Sequence, residues 1–181
     1  MTTYYTADLH DGHKSIGDFR RIPQEFLDAA NGDGCEANSL WLDAEWEKAG
    51  ITKRDVVIVL GDAAFNTKGL SRIGERRGMK KLIGGNHDNL HAENLLSVFQ
   101  NIYGCRRNRK LGNLSHFPIH PAELRGSFAI HGHVHLATIP DHRYINVSCD
   151  NLFRETGKAL IKEEDLLRII EERKLSKEVT Y

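Results

Sequence analysis

The clearest hydrophobic pattern in the chain is an unbroken run of β-branched and aliphatic residues at 55–60, followed at once by Gly61 and Asp62. A short continuous apolar run of this kind predicts a strand that is buried on both faces. Other short runs rich in Val, Ile, Thr or Tyr are bounded by Gly, Asn or Pro and predict further strands. These strands are expected at 3–7, 79–83, 102–103, 111–115, 127–130 and 144–148.

Apolar residues recur at helical spacing in four other segments. The segment 37–49 carries Leu40, Trp41 and Ala44 on one stripe and ends at Gly50, which is a typical helix stop. Helices are also predicted at 67–77, 90–99 and 163–173. The basic residues between Arg72 and Lys81 are interpreted as a solvated helix face and its exit. Strand–helix alternation followed by a strand-rich part predicts one α/β domain over residues 1–181.

Composition narrows the class of protein further. The length of 181 residues suits one domain. Because 25 basic residues balance 25 acidic ones, the net charge is zero and does not by itself attract the protein to nucleic acid or to an anionic membrane. No apolar run approaches the ~20 residues of a membrane helix, and residues 1–10 do not have the pattern of a signal peptide. Three widely spaced cysteines favour a reducing compartment over a disulfide framework. A cytoplasmic protein without membrane contact is therefore expected.

The candidate chemistry lies where the predicted strands stop. Five of them end in Asp, Asn or His, and in an open α/β sheet such ends meet at one edge although they are far apart in the sequence. Oxygen and imidazole donors brought together in this way indicate a metal centre. The residues concerned are Asp8, His10, Asp62, Asn86, His116, His131, His133 and His135.

Several histidines remain open on spacing alone. In an extended strand His131, His133 and His135 face the same side, so the spacing does not select two ligands from three. His13 follows Gly12 and lies near the metals or in a plain loop. The remaining histidines, at 91, 120 and 142, are interpreted as loop or surface residues.

The order of these motifs resembles one known family. The motifs are Asp8-x-His10, Gly61-Asp62, Gly85-Asn86-His87-Asp88, His116 and Gly132-His133-Val134-His135. Together they are similar to the calcineurin-like metallophosphoesterases, in particular to the small, cap-less bacterial and phage branch. The resemblance implies a four-layer α/β/β/α sandwich of two mixed β-sheets flanked by helices. Asp11 departs from the pattern, because an aromatic residue is usual there, and it would place a carboxylate beside the site.

The resemblance also implies a ligand set and excludes His131 from it. Asp62 would bridge two divalent transition-metal ions, with manganese expected first and iron, zinc, cobalt or nickel as alternatives, in line with the mixed donors. The first ion would take Asp8, His10, Asp62 and His135, and the second Asp62, Asn86, His116 and His133.

The function implied is hydrolysis of a phosphomonoester or phosphodiester by a hydroxide that bridges the metals. His87 would protonate the leaving oxygen and Asp88 would orient His87. The substrate could be a nucleotide or an RNA end, with contacts predicted at His13 and at Arg107, in a basic hairpin tip at 106–110. The alternatives are a small nuclease and a non-catalytic, metal-binding interaction scaffold of the same fold.

Overall fold

The computed structural model describes residues 1–178, which form nine strands. The strands are β1 (Thr3–Thr6), β2 (Val56–Val59), β3 (Met79–Ile83), β4 (Phe99–Tyr103), β5 (Cys105–Asn108), β6 (Gly112–Ser115), β7 (Ala129–His131), β8 (Tyr144–Asn146) and β9 (Ile161–Lys162). All six predicted strands beyond the central one are present, and β3 has the predicted bounds.

Two mixed sheets are built from these strands. The first has the order β4-β3-β2-β1-β9, in which β1 to β4 are parallel and β9 runs antiparallel to β1. The second has the order β5-β6-β7-β8, in which β6 to β8 are parallel and β5 is antiparallel to β6. Because most strands within each sheet are parallel, their carboxyl ends meet at one edge, where the polar residues follow.

Helices flank the two sheets. They are α1 (Ile16–Phe19), α2 (Gln24–Ala29), α3 (Gly34–Lys48), α4 (Thr67–Glu75), α5 (Ala92–Leu96), α6 (Cys149–Thr156) and α7 (Glu163–Glu178). The helix predicted at 37–49 begins three residues earlier because Asp33 caps it, accepting hydrogen bonds from the main-chain N–H groups of Cys35 and Glu36. Among the described helices none combines the length and the apolar character needed to cross a bilayer.

The core has two main parts. One lies between the first sheet and helices such as α3, and includes Trp41, Val57 and Phe99. The other lies between the sheets and includes Tyr5 and Leu114. Successive residues of β1 and β2 enter different clusters, so both strands are buried on both faces, which the apolar run at 55–60 predicts for β2.

Four short elements differ from the prediction. The helix expected at 90–99 covers only Ala92–Leu96, because Phe99 enters β4 and buries its ring completely against the first sheet. Burial of this large ring outweighs the weak helical pattern of the segment. Neither β5 nor α6 nor β9 is predicted by the sequence. The hairpin predicted around 106–110 is present, with residues 109–111 in its turn, but residues 106–108 belong to β5 and not to the tip.

The basic residues at 72–81 form a solvated face only in part, which corrects the prediction: Arg77 is exposed, and Arg72 and Lys81 are half-buried. Arg76 and Lys80 are buried. Arg76 forms ion pairs with Asp11 and Asp43. Lys80 Nζ donates to the carbonyl oxygens of Arg76 and of Gly78, the latter over 3.0 Å. Burial lowers the pKa of Lys80 to about 8.

Candidate metal centre

Six ionisable side chains converge at the carboxyl edge of the sheets in two groups of three. In each group the donor atoms lie within 4.8 Å of one another. The first group is Asp8, His10 and His135, and the second is Asp62, His116 and His133. Asn86 joins the second group, with its Oδ1 3.0 Å from His116 Nε2. All seven predicted ligands are therefore brought together.

The backbone at this edge is bent in an unusual way. Only seven non-glycine residues of the described chain have a left-handed backbone, with φ between 47° and 71°. Five of the seven are predicted ligands: Asp8, His10, Asp62, His133 and His135. Such a conformation costs energy for a residue with a side chain, and it concentrates at functional sites. The bends turn the side chains toward each other immediately after their strands.

Two glycines allow the close approach of the loops. A Cβ on Gly85 would lie 2.3 Å from Asp62 Oδ1, and one on Gly61 would lie 2.2 Å from His116 Nδ1. Gly61 also has φ of +87°, which a side chain rarely adopts. The glycines that precede Asp62 and Asn86 in the sequence are therefore required by the packing of the donors.

His10 has the environment expected of a metal ligand. It is buried, and neither ring nitrogen has a hydrogen-bond partner. Its Nε2 lies 3.9 Å from Asp8 Oδ1 and 3.8 Å from Asp62 Oδ2, too far for a hydrogen bond and suited to donors that share an ion at roughly 2.1 Å each. Burial lowers the pKa of His10 to about 3, which keeps the imidazole neutral, as a ligand must be.

His116 faces oxygen acceptors on both sides. Its Nδ1–H donates to the Leu60 carbonyl over 2.9 Å, which leaves the Nε2 lone pair facing Asn86 Oδ1 at 3.0 Å and Asp62 Oδ1 at 3.4 Å. Burial disfavours the charged ring, but hydrogen bonds to Asp62 and Leu60 outweigh this and raise the pKa of His116. The arrangement therefore calls for a positive charge at Nε2, which a metal ion supplies as well as a proton does.

His135 is held by a residue that the sequence analysis missed. Its Nδ1–H donates to Asp150 Oδ2 over 2.8 Å, and this hydrogen bond raises the pKa of His135. The bond fixes the tautomer, so that Nε2 points toward Asp8 Oδ1 at 4.0 Å. Asp150 lies in the first turn of α6, and neither its helix nor its spacing gave a signal in the sequence.

Asp8 is fixed from two sides. Both of its carboxylate oxygens accept from the main-chain N–H of His133, over 3.2 and 3.0 Å. The buried guanidinium of Arg20 donates to the carbonyl oxygens of Asp8 and Leu9. Burial raises the pKa of Asp8. Arg20, which the sequence analysis also missed, therefore holds the bend that presents this carboxylate.

His87 and Asp88 do not form the predicted pair. The Asp88 carboxylate accepts from the main-chain N–H groups of Asp62, Ala63 and Gly85, over 2.8–2.9 Å. It therefore ties two site loops together, and its predicted role in orienting His87 is wrong. The exposed His87 ring is instead stacked on Phe65, with ring centroids 4.8 Å apart at 26°. Phe65 gave no signal in the sequence.

Of the two predicted substrate-contact residues, His13 lies at the site and Arg107 does not. His13 lies at the site, with its ring 4.2 Å from that of Phe65 and 6.0 Å from that of His10. Burial, together with His87, lowers the pKa of His13. Arg107 is not in the cluster: it pairs with Asn113, at the end of β6 that is remote from His116.

His131 and Asp11 both lie outside the two groups of donors. His131 is the last residue of β7, is buried, and donates from Nδ1 to the Gly132 carbonyl over 2.8 Å. The strand ends there, so the three histidines do not share a face and His131 stays outside both groups. Asp11 does not place its carboxylate beside the donors, which corrects the expectation. It is fully buried, pairs with Arg76 and accepts from Ser39 Oγ over 2.6 Å.

Fold and site together define a mixed α/β protein with two clusters of Asp and His side chains that could hold metal ions, at the carboxyl edge of its sheets. The Gene 66 protein of Mycobacterium phage L5 is 31% identical over an alignment 169 positions long, which covers 74% of this chain and 77% of that protein. The Gene 66 protein of Mycobacterium phage D29 is 31% identical over an alignment 185 positions long, which covers 81% of this chain and 87% of that protein. The chain belongs to the family of these phage Gene 66 proteins.

The fold also occurs in a solved structure. The crystal structure of AQ665 from Aquifex aeolicus, a protein of unknown function, matches with a TM-score of 0.64 over 93% of this chain and 98% of that one. At 21% sequence identity the likeness concerns the fold alone. No protein-family model matches the chain.

Proposed function

We propose that this protein is a metal-dependent phosphoesterase of the calcineurin-like type, with two divalent transition-metal ions at the edge of its sheets. The observation that carries the proposal is the environment of His10, a buried neutral imidazole with no partner between two carboxylates. In this proposal the two mixed sheets are the inner layers of a four-layer α/β/β/α sandwich, and the protein acts in the cytoplasm.

Asp62 is the proposed shared ligand. Its Oδ2 faces His10 Nε2 in the first group at 3.8 Å, and its Oδ1 faces His116 Nε2 in the second at 3.4 Å. One carboxylate thus reaches both groups. Manganese fits the mixed oxygen and imidazole donors, as do iron, zinc, cobalt and nickel. When bound, two such ions make a water acidic and polarise a phosphoryl oxygen.

His87 is the proposed proton donor. Its ring is exposed at the site and is held by Phe65, while its main-chain N–H donates to Asp62 Oδ1 over 2.9 Å. The backbone contact ties the ring to the proposed shared ligand without making the ring a ligand. As the ester P–O bond breaks, the protonated imidazole gives its proton to the leaving oxygen, so that a neutral alcohol departs.

The direct test is turnover by the metal-reconstituted protein on a phosphomonoester, a phosphodiester and a 2′,3′-cyclic nucleotide, with elemental analysis of the same sample. We expect turnover that requires metal. Asp62→Asn is expected to lose metal and turnover, whereas Asp28→Asn, an exposed carboxylate outside the site, keeps both. Two bound metals without turnover on any ester would contradict the proposal and favour the scaffold alternative.

A further inference from the structure

One segment of the chain is strongly basic, although the net charge of the whole chain is zero. Residues 104–128 contain one carboxylate, Glu123, and five cationic side chains. The cations are Arg106, Arg107, Arg109, Lys110 and Arg125. This segment supplies β5, β6 and the connection to β7, so the excess charge lies on the second sheet.

Four of these cations are exposed, and we call them the cationic edge: Arg107, Arg109, Lys110 and Arg125. β5 is the outermost strand of its sheet. Arg107 contacts Ser127 Oγ at 3.3 Å, two residues beyond Arg125. No carboxylate of the described chain pairs with the four, whereas Arg72 and Arg76 each bind two. Cations left unpaired on a neutral protein are available to phosphates.

An exposed aromatic ring lies beside the proposed metal-ligand residues, at the end of β6 away from the cationic edge. Phe117 directly follows His116 and is 48% exposed. Its ring centroid is 4.4 Å from that of His133 and 5.0 Å from that of His116. Back along β6, Asn113 faces Arg107 across the strand pair, four residues or about 13 Å from Phe117. The distance exceeds the reach of a small phosphate ester and suits an extended chain.

We infer that the substrate is a single-stranded nucleic acid, with a base stacked on Phe117 and its backbone phosphates along the cationic edge. The inference rests on the proposed phosphoesterase function, because it places the scissile phosphate at the metal-ligand residues. Phosphates bound by Lys and Arg release counterions, and an aromatic ring accepts any base by stacking. A short single strand uses both surfaces at once.

The test measures binding of a fluorescein-labelled single strand of ~12 nucleotides by anisotropy, as DNA and as RNA, with the metal-reconstituted protein. A gel confirms that the strand is intact. Arg109→Ala/Lys110→Ala is expected to bind roughly tenfold more weakly in about 50 mM salt. It is also expected to flatten the slope of log K against log salt by about 1.4. The matched control is Lys53→Ala/Arg54→Ala. These two exposed cations precede β2, at the end of the first sheet away from the metal-ligand residues.

Phe117→Ala is expected to weaken binding about tenfold, and Phe117→Trp to restore it. The inference is overturned if the two double variants behave alike, if Phe117→Ala binds like the wild type, or if a duplex or a phosphopeptide binds as tightly as the single strand. Turnover of a small chromogenic diester separates the two proposals. Turnover without strand binding removes this inference alone, and strand binding without turnover on any ester removes the phosphoesterase function.

Discussion

The Nδ1–H of His135 donates to Asp150 Oδ2 over 2.8 Å, and this bond links the loop after β7 to the first turn of α6. The hydrogen bond fixes which nitrogen of His135 is free for a ligand bond. A carboxylate behind a ligating histidine is a recurrent feature of metal sites, where it orients the ring and increases its basicity. Asp150 thus acts through His135.

Asp150→Ala is expected to weaken metal binding by roughly 10- to 100-fold, because His135 loses its fixed tautomer and orientation. Competition against a chelating dye measures the change. Glu155→Gln, on the exposed side of the same helix, is the control and is expected to bind metal like the wild type. Equal metal affinity for Asp150→Ala and the control would show that the hydrogen bond has no part in the site.

His87→Ala is expected to keep both metals and to lower kcat by roughly 10²- to 10⁴-fold, most strongly for esters with poor leaving groups. The reason is that the ring supplies a proton and no ligand bond. Kinetics across a series of leaving groups, with metal analysis, checks this. Phe65→Ala, which removes the stacked ring, is expected to have a smaller effect in the same direction. Loss of metal from His87→Ala would show that its assigned role is wrong.

Asp11→Asn is expected to destabilise the fold by about 3 kcal/mol, because it removes a fully buried partner of the Arg76 guanidinium. Urea denaturation measures the change. Arg76 has a second partner in Asp43, whose side chain is 38% exposed. Asp43→Asn is the comparison and is expected to cost about 1 kcal/mol or less. A larger loss for Asp43→Asn than for Asp11→Asn would reverse this assignment.

Asp55 predicts an acid-dependent contribution to stability. Its carboxylate accepts hydrogen bonds from the main-chain N–H groups of Thr2 and Thr52 and from the Thr52 hydroxyl, and these lower its pKa to about 2. The folded pKa lies below the unfolded value of about 3.9, so the stabilisation is present above that pH and is lost as pH falls through 2. The difference in unfolding free energy between wild type and Asp55→Asn is therefore expected to shrink over this range, and a constant difference would contradict the argument.

The sequence predicts the central strand Val56–Val59 because its apolar run is too short for a helix. Met79–Ile83 contains two lysines, and its signal is the apolar end, Leu82 and Ile83, followed by two glycines. It also predicts the donors, because each one follows the end of a predicted strand or belongs to a short motif. Such a motif can be recognised in the sequence whatever the lengths of the loops between the strands. The choice among His131, His133 and His135 needed the structure, since it depends on where β7 ends and on two left-handed residues after it.

The residues that support the donors could not be predicted from the sequence. Asp150, Arg20 and Phe65 reach the site from segments with no periodic pattern, and they act through contacts that form only after folding. The edge strand β5 was missed for a related reason. Its residues, Cys105 to Asn108, lack strand composition, and pairing with β6 alone makes them extended.

The left-handed bends at five of the donors have a consequence for ion uptake. Since the chain itself fixes the turns, these side chains face one another before any ion binds, and under the proposed function loading would require little rearrangement of the loops. Ions would then be discriminated by how well their radius and preferred geometry match a rigid cage, and a cation of the wrong size could not be accommodated by relaxation of its surroundings.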